Sequence, residues 1–500
     1  MNSPAIASRI PAAGSWAPAT AVAFGTLATV AVALLSGSKF GQLALFGAMA
    51  LAVGLCALHS PRFAVILLIV TTFLRLPLST QMVLPVELWL IVFAVVMVAT
   101  AAWMIRTPSR VRGIGAVECA MALYLCWNLY SMITPHKYPA IDPDNGGPMP
   151  VLRFIVIATL IPFAAYVVGR FAFDRPAAVR ALFWTLLGVS AYSAAVSIMP
   201  FVGLGDWVWP RYIVTDPAWI GRAVGVPNQP VVNGMVLVLG FAIGTTLATR
   251  RGEPGWRRCI ALLVVASCGV SIYLTYTRAV WMSALLMLVL GACLARGYRG
   301  GFVAALGLVA SVVALNWSRF TSSDRTAGGV ASESEIESRL NDIQTALWAR
   351  TQEPLTGWGI GRFPAVNRYH HQQWSPDVPW ISGYGEVSHT NELGLLAELG
   401  IIGLALWICV LVLVAYRLKD AYRALPDHDL CGKPLALIAI MAIAILLCTG
   451  TTVDLRFFDF PTIATFLLVG VAIGWADRTR RTNTAAGENV IVERELQRHG

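Results

Sequence analysis

The chain has 500 residues, 57% of them apolar and only 13% charged, with a positive mean hydropathy. A soluble globular fold needs more polar surface than this, so the composition excludes an ordinary soluble protein and points to a polytopic membrane protein. The formal charge of +10 does not imply nucleic acid, because the arginines are spread over short loops between apolar runs, where the positive-inside rule accounts for them. Eight of the nine cysteines fall in apolar runs and Cys431 in a basic loop, which leaves the outer loops no disulfide framework and makes a redox role improbable.

Taken in chain order, the apolar runs lie at 19–35, 40–58, 63–76, 82–105, 114–134, 151–172, 177–199, 230–248, 259–276, 279–295, 302–317, 391–416, 435–453 and 460–476. Most have the length a helix needs to cross a bilayer, and the third is short enough to be re-entrant. They predict an all-α polytopic integral membrane protein with about 12–14 transmembrane helices and one large periplasmic loop. Residues 1–18 carry a single arginine and the first run shows no small-residue cleavage site, so the expectation is a cytoplasmic tail and an uncleaved first helix. Basic residues mark every second connection as cytoplasmic: Arg106, Arg110 and Arg112, then Arg170, Arg175 and Arg180, then Arg250, Arg251, Arg257 and Arg258. The same parity holds for Arg296 and Arg299, for Arg417, Lys419, Arg423 and Lys433, and for a tail with Arg478, Arg480 and Arg481. Both termini are then cytoplasmic, and residues 477–500 read as a polar, disordered tail.

Three loops face the other side. Residues 135–150 contain Asp142-Pro143-Asp144-Asn145-Gly146-Gly147-Pro148, a turn composition. Residues 200–229 carry Trp207, Trp209 and Trp219, ring types that settle at headgroup level. Residues 318–390 form the largest loop. Within it, Ile336, Leu340, Ile343 and Leu347 recur at helical spacing, which predicts an amphipathic helix over 333–350 lying on the outer membrane surface. Gly357-Trp358-Gly359-Ile360-Gly361-Arg362-Phe363 follows, then His370 and His371. No internal repeat or low-complexity tract occurs.

The chemistry candidates are polar residues at the outer ends of spans. Arg278, in Thr275-Tyr276-Thr277-Arg278, departs from the positive-inside trend and so needs a reason. Snorkelling toward headgroups is the plain explanation; a planar guanidinium aimed at phosphate is the sharper one. Arg222 raises the same question, in Arg222-Ala223-Val224-Gly225-Val226-Pro227-Asn228-Gln229-Pro230, and two such arginines could hold one diphosphate. His389 lies in Ser388-His389-Thr390-Asn391-Glu392, at a helix start whose free N–H groups and dipole favour anionic oxygen. A capping or headgroup role is the plain alternative; a neutral imidazole there can take a proton from a sugar hydroxyl. Glu398, deeper in the same span, is expected to pair with another helix, since a carboxylate in lipid must be paired.

The order of these elements carries a resemblance. An Arg-x-x-Gly element with Pro227-Asn228, then Thr277-Arg278, then a long loop with spaced glycines, then His389-Thr390-Asn391-Glu392-Leu393 and Glu398-Leu399-Gly400-Ile401-Ile402-Gly403 resembles the O-antigen ligase and polymerase superfamily. It covers Trp219 to Trp407 in motifs, with Thr277 standing where a serine is common. The resemblance implies a bacterial inner-membrane glycosyltransferase with a periplasmic active site, in which Arg222, Arg278 and His389 are the functional residues. Asn391, Glu392, Asn228, Arg339 and Arg362 are the substrate-binding candidates. The implied partners are a polyprenyl-diphosphate-linked glycan donor, a lipid-linked or glycan acceptor and membrane lipids, with no nucleic acid. His389 would deprotonate the acceptor hydroxyl and the arginines would neutralise the departing diphosphate, with inversion at the anomeric carbon and no metal or cofactor.

Two other readings have residues behind them. Asp142 and Asp144 imitate the acidic pair of metal-dependent transferases, but the flanking Pro and Gly favour a surface turn; adjacent His370 and His371 point apart in an extended chain, which disfavours zinc. A transporter or flippase of lipid-linked oligosaccharide would account for the spans and could use Glu87 and Glu118. No duplication of halves supports it.

Overall fold

The computed structural model describes residues 53–81, 87–107, 113–143, 146–250, 252–320, 333–427 and 429–499. Its fold is all-α: helices make up most of the described residues, and no strand occurs among them. The helices are α1 (Pro61–Phe73), α2 (Arg75–Gln81), α3 (Leu88–Arg106), α4 (Ala116–Ile133), α5 (Val151–Ala172), α6 (Pro176–Ile198), α7 (Pro230–Thr249) and α8 (Gly255–Leu274). They continue as α9 (Arg278–Leu294), α10 (Gly300–Leu315), α11 (Glu333–Gln352), α12 (Phe363–Tyr369), α13 (Asn391–Ala424), α14 (Lys433–Gly450) and α15 (Asp459–His499). Among the described residues, nine helices are long and apolar enough to cross a membrane, and α1, α9 and α10 are shorter apolar helices. Each apolar run from 63–76 onward is thus a helix. The run 19–35, most of 40–58, and Arg110, Arg112, Asp144 and Arg251 lie outside the described residues.

The hub is α7, whose spanning window is wholly buried among α6, α8, α9 and α14. A second close contact joins α5 to α15, where a Cβ on Gly470 would lie 2.0 Å from the Tyr166 carbonyl oxygen and one on Gly474 2.4 Å from that of Arg170. With no hydrophobic drive between helices in lipid, such small residues let backbones meet and gain dispersion contact.

The tail differs from expectation. Instead of disorder after residue 476, α15 runs to His499. Asp477 pairs with Arg170 and Arg417, which holds the helix past its apolar part, and the Glu- and Arg-rich end suits a helix. These pairs tie α5 and α13 to α15 at Asp477, far along α13 from the end that begins beside His389.

The amphipathic helix is present as α11, but with the other face buried. Asn341, Asp342, Thr345, Ala346 and Ala349 are its buried positions, while Ile336 and Leu347 are 42% and 38% exposed. Its small side chains admit close packing on α13, and Asn341 donates to the carbonyls of Pro379 and Ser382. Polar bonds to the loop, and not the apolar stripe, therefore set its orientation.

Candidate active site

The site is assembled from loops whose backbones are fixed by the helices they join. Between α8 and α9 the chain turns within three residues, with Tyr276 at φ 45 and Thr277 as the N-cap residue of α9. Arg278 is therefore the first residue of that helix. The segment before α7 is tied to the same turn, because the Ala223 N–H donates to the Leu274 carbonyl at 2.9 Å. Arg222 lies across it. Its Nε donates to the Thr275 carbonyl (3.1 Å), its Nη2 to the Thr277 hydroxyl (2.8 Å), and its guanidinium stands 5.3 Å from the Trp219 ring. The residue found in place of the family's usual serine thus anchors one arginine beside the other.

His389 ends the long loop at the head of α13. Two inserts hold this loop. The glycine-rich segment docks on α13 where Gly400, at φ 66, interrupts the helix, so that Trp358 and Gly359 donate to the carbonyls of Ala397 and Glu398 and Ile401 donates to Pro354. The Glu398 carboxylate accepts from the N–H groups of Gly361 and Phe363 and from Arg456 Nη1 (2.5 Å), while Arg456 Nη2 and Nε donate to Asp454. Glu398 is thus paired, with the turn between α14 and α15 in place of the expected second helix. The second insert is Asn367, fully buried on α12, which donates to the carbonyls of Gly383 and Glu386 and to Asp342 Oδ1.

These constraints bring four of the candidates together. A cavity of about 350 Å³ is lined by Arg222, Arg278, Arg339 and His389, with Trp219, Gln229, Ser338 and Glu386 among its other walls. Arg278 Nη2 is buried without a hydrogen-bond partner among the described residues. His389 Nε2 is 2.8 Å from Glu386 Oε2 and 3.7 Å from Asp342 Oδ2. Burial and the neighbouring Glu386 push Asp342 up to about 9, whereas the bond to His389 holds Glu386 below the usual carboxylate range.

The other four candidates lie elsewhere. Asn228, at φ 53, donates to Asp216 and shapes a turn, a job that a left-handed backbone position suits. Its neighbour Gln229 caps α7 and lines the cavity in its place. Asn391 is buried and bonds Glu392, and it faces a separate small void with Tyr124 and Arg456. Arg362 donates to the carbonyls of Tyr138 and Ile360, inside the docked glycine-rich segment. His370 meets the Tyr138 hydroxyl and His371 meets Asn367 and the Trp380 carbonyl, so the two imidazoles serve different contacts.

Asp342 and Glu386 are site residues that the sequence reading missed. Glu386, three residues before His389, could have been found from local spacing; Asp342 is 47 positions away in sequence, and nothing local ties it to the histidine.

The comparisons bear on the same segment. Residues 261–408 match the family model described as O-antigen ligase. The match agrees with the resemblance of the chain to the O-antigen ligase and polymerase superfamily. The match to O-antigen ligase runs from α8 into α13 and takes in Arg278, Arg339, Asp342, Glu386 and His389, while Arg222 precedes it. No curated protein matches the chain.

Proposed function

We propose that this protein is a metal-independent, inverting glycosyltransferase of the bacterial inner membrane. It moves or polymerises a glycan from a polyprenyl-diphosphate donor onto an acceptor sugar hydroxyl at the periplasmic face. The family match supports the O-antigen ligase type of activity. The observation that carries the finer reading is the single cavity in which three guanidinium groups from three separate segments surround one imidazole.

The chemistry follows from those groups. Arg222 and Arg278 bind the diphosphate and take up the charge that develops as the anomeric C–O bond breaks, and Arg339 adds to the same field. His389 accepts the acceptor's hydroxyl proton as the new C–O bond forms on the opposite face of the sugar, which inverts that carbon. The electron pair of the broken bond leaves with polyprenyl diphosphate. Glu87 and Glu118, the carboxylates a transporter could use, are each paired with arginine near helix ends.

The test is transfer by the purified full-length protein in nanodiscs, with a synthetic undecaprenyl-diphosphate oligosaccharide and two acceptors, a lipid A core and a second lipid-linked glycan. Product on either acceptor that His389→Ala loses and EDTA leaves unchanged is the expected result; the extended acceptor tells ligase from polymerase. Full transfer by His389→Ala, or loss on chelation, refutes the mechanism.

A further inference from the structure

Asp342 has no part in the mechanism above, yet it is a carboxyl with 2% exposure beside the base. A buried carboxyl is costly unless partnered. One of its oxygens is accounted for: Oδ1 accepts from Asn367 Nδ2 at 3.1 Å. Oδ2 has no hydrogen-bond partner among the described residues, and it points at the histidine edge. Ligand-type atoms of Asp342, Glu386 and His389 all lie within 4.8 Å of one another. Asn367 also binds the backbone that carries Glu386, so the placement of the two carboxyls is set by one buried amide.

We propose that Asp342, Glu386 and His389 form a carboxyl–carboxylate–imidazole chain, in which Asp342 is a positioning residue that fixes His389 as its Nε2–H tautomer and leaves Nδ1 to take the acceptor's proton. The inference rests on the reading of His389 as the base. Glu386 makes the close contact, but its side chain is 49% exposed and water competes for it; that of Asp342 is 3% exposed and sits on a helix. Two carboxylates cannot both stay ionised at one nitrogen without mutual repulsion, and pairs of this kind divide into an ionised and a neutral partner. Here Asp342 is the neutral one, raised to about 9 by burial and by Glu386, and its proton resides on Oδ2. From there it reaches the Glu386 carboxylate by a small rotation of that exposed side chain or through one water, and the carboxylate accepts from Nε2–H in turn. No described residue bonds Nδ1.

The charged and titratable groups around Asp342 are Arg339 on its own helix, Glu386, His389 and His371 from the loop, and Arg222 and Arg278 across the cavity. The experiment is nitrogen NMR of the full-length protein, labelled at histidine and held in nanodiscs, with the His389 signals assigned by their absence in His389→Gln. Transfer kinetics with the synthetic undecaprenyl-diphosphate oligosaccharide run in parallel. Expected are an unprotonated Nδ1 in the wild type and in Asp342→Asn, and mixed tautomers in Asp342→Ala. Losing an outer hydrogen-bond partner costs a metal-bound imidazole on the order of 10–100-fold, and a fall in kcat of about that order, with donor KM unchanged, is expected in Asp342→Ala. Asp342→Asn, neutral and able to donate, recovers part of that rate and lacks the alkaline fall expected of the wild type near the value of about 9.

A protonated Nδ1 in the wild type overturns the proposal, as does Asp342→Ala with wild-type kcat and tautomer. Should Asp342→Ala not fold, an alkaline fall in Asp342→Asn identical to that of the wild type overturns it. Transfer surviving in His389→Gln while the tautomer is as expected would refute the base assignment alone and leave the chain of hydrogen bonds standing.

Discussion

Arg456 and Arg278 put the same side chain to opposite uses. Arg456 is buried between Asp454 and Glu398, with each carboxylate at 2.5 Å, and so joins the turn between α14 and α15 to α13. Arg278 stands at a helix start with Nη2 buried and no acceptor for it among the described residues, in a cavity lined by two further arginines. A buried charge that folding itself neutralises belongs to the scaffold. One whose donors face a cavity suits an anionic ligand that arrives later.

Breaking that contrast calls for variants on both sides. Arg456→Ala is expected to act most strongly, on the fold: leaving two buried carboxylates unpaired costs about 3–5 kcal/mol, read as lost monodisperse protein and a lowered melting temperature. A wild-type melt in this variant would erase the distinction. His389→Ala comes next and acts on chemistry alone, with transfer reduced by roughly 10²–10⁴ and melting unchanged, since general base catalysis contributes about that much. Arg278→Ala should lower kcat by about 10²–10³, the usual loss of a charge-stabilising donor, again without a change in melting. Arg278→Lys keeps the charge but not the fork and recovers only part. If Arg278→Ala melted as early as Arg456→Ala, Arg278 would be a scaffold arginine too.

The last effect is one of pH. Folded Asp342 keeps its proton up to about 9, while in the unfolded chain it ionises in the ordinary carboxylate range. Between those values the folded state binds the extra proton, so stability declines as pH rises. Asp342→Asn removes that slope, and its melting temperature relative to wild type should increase between about pH 5 and about pH 8. A constant difference across that range would show Asp342 ionised in the folded protein.

Much of the molecule was legible one segment at a time. Helix formation in an apolar run depends on local length and composition, because lipid offers the backbone no other partner, and so the described runs from 63–76 onward are helical, with α13 and α15 running on into polar sequence past their apolar parts. Arg222, Arg278 and His389 were readable for a related reason: each stands at the head of an apolar run, where a charge is costly unless it has a task. Asn228, Asn391, Glu392 and Arg362 stand beside the same motifs but do not line the cavity. The side chains of Asn228, Asn391 and Arg362 donate to Asp216, to Glu392 and to the Tyr138 carbonyl.

Sequence by itself determined the class of the protein, its helices and three of the residues that meet in the cavity, since all of these follow from the polarity of short windows. Only the tertiary structure decided which face of α11 is buried, and that choice turns Asp342 toward His389 while Ile336 and Leu347 stay outside. The apolar stripe pointed the other way. What outweighed it was the pair of hydrogen bonds from Asn341 to the loop carbonyls of Pro379 and Ser382, with that from Asn367 of α12 to Asp342, because a buried polar group must find its partner wherever the fold places one.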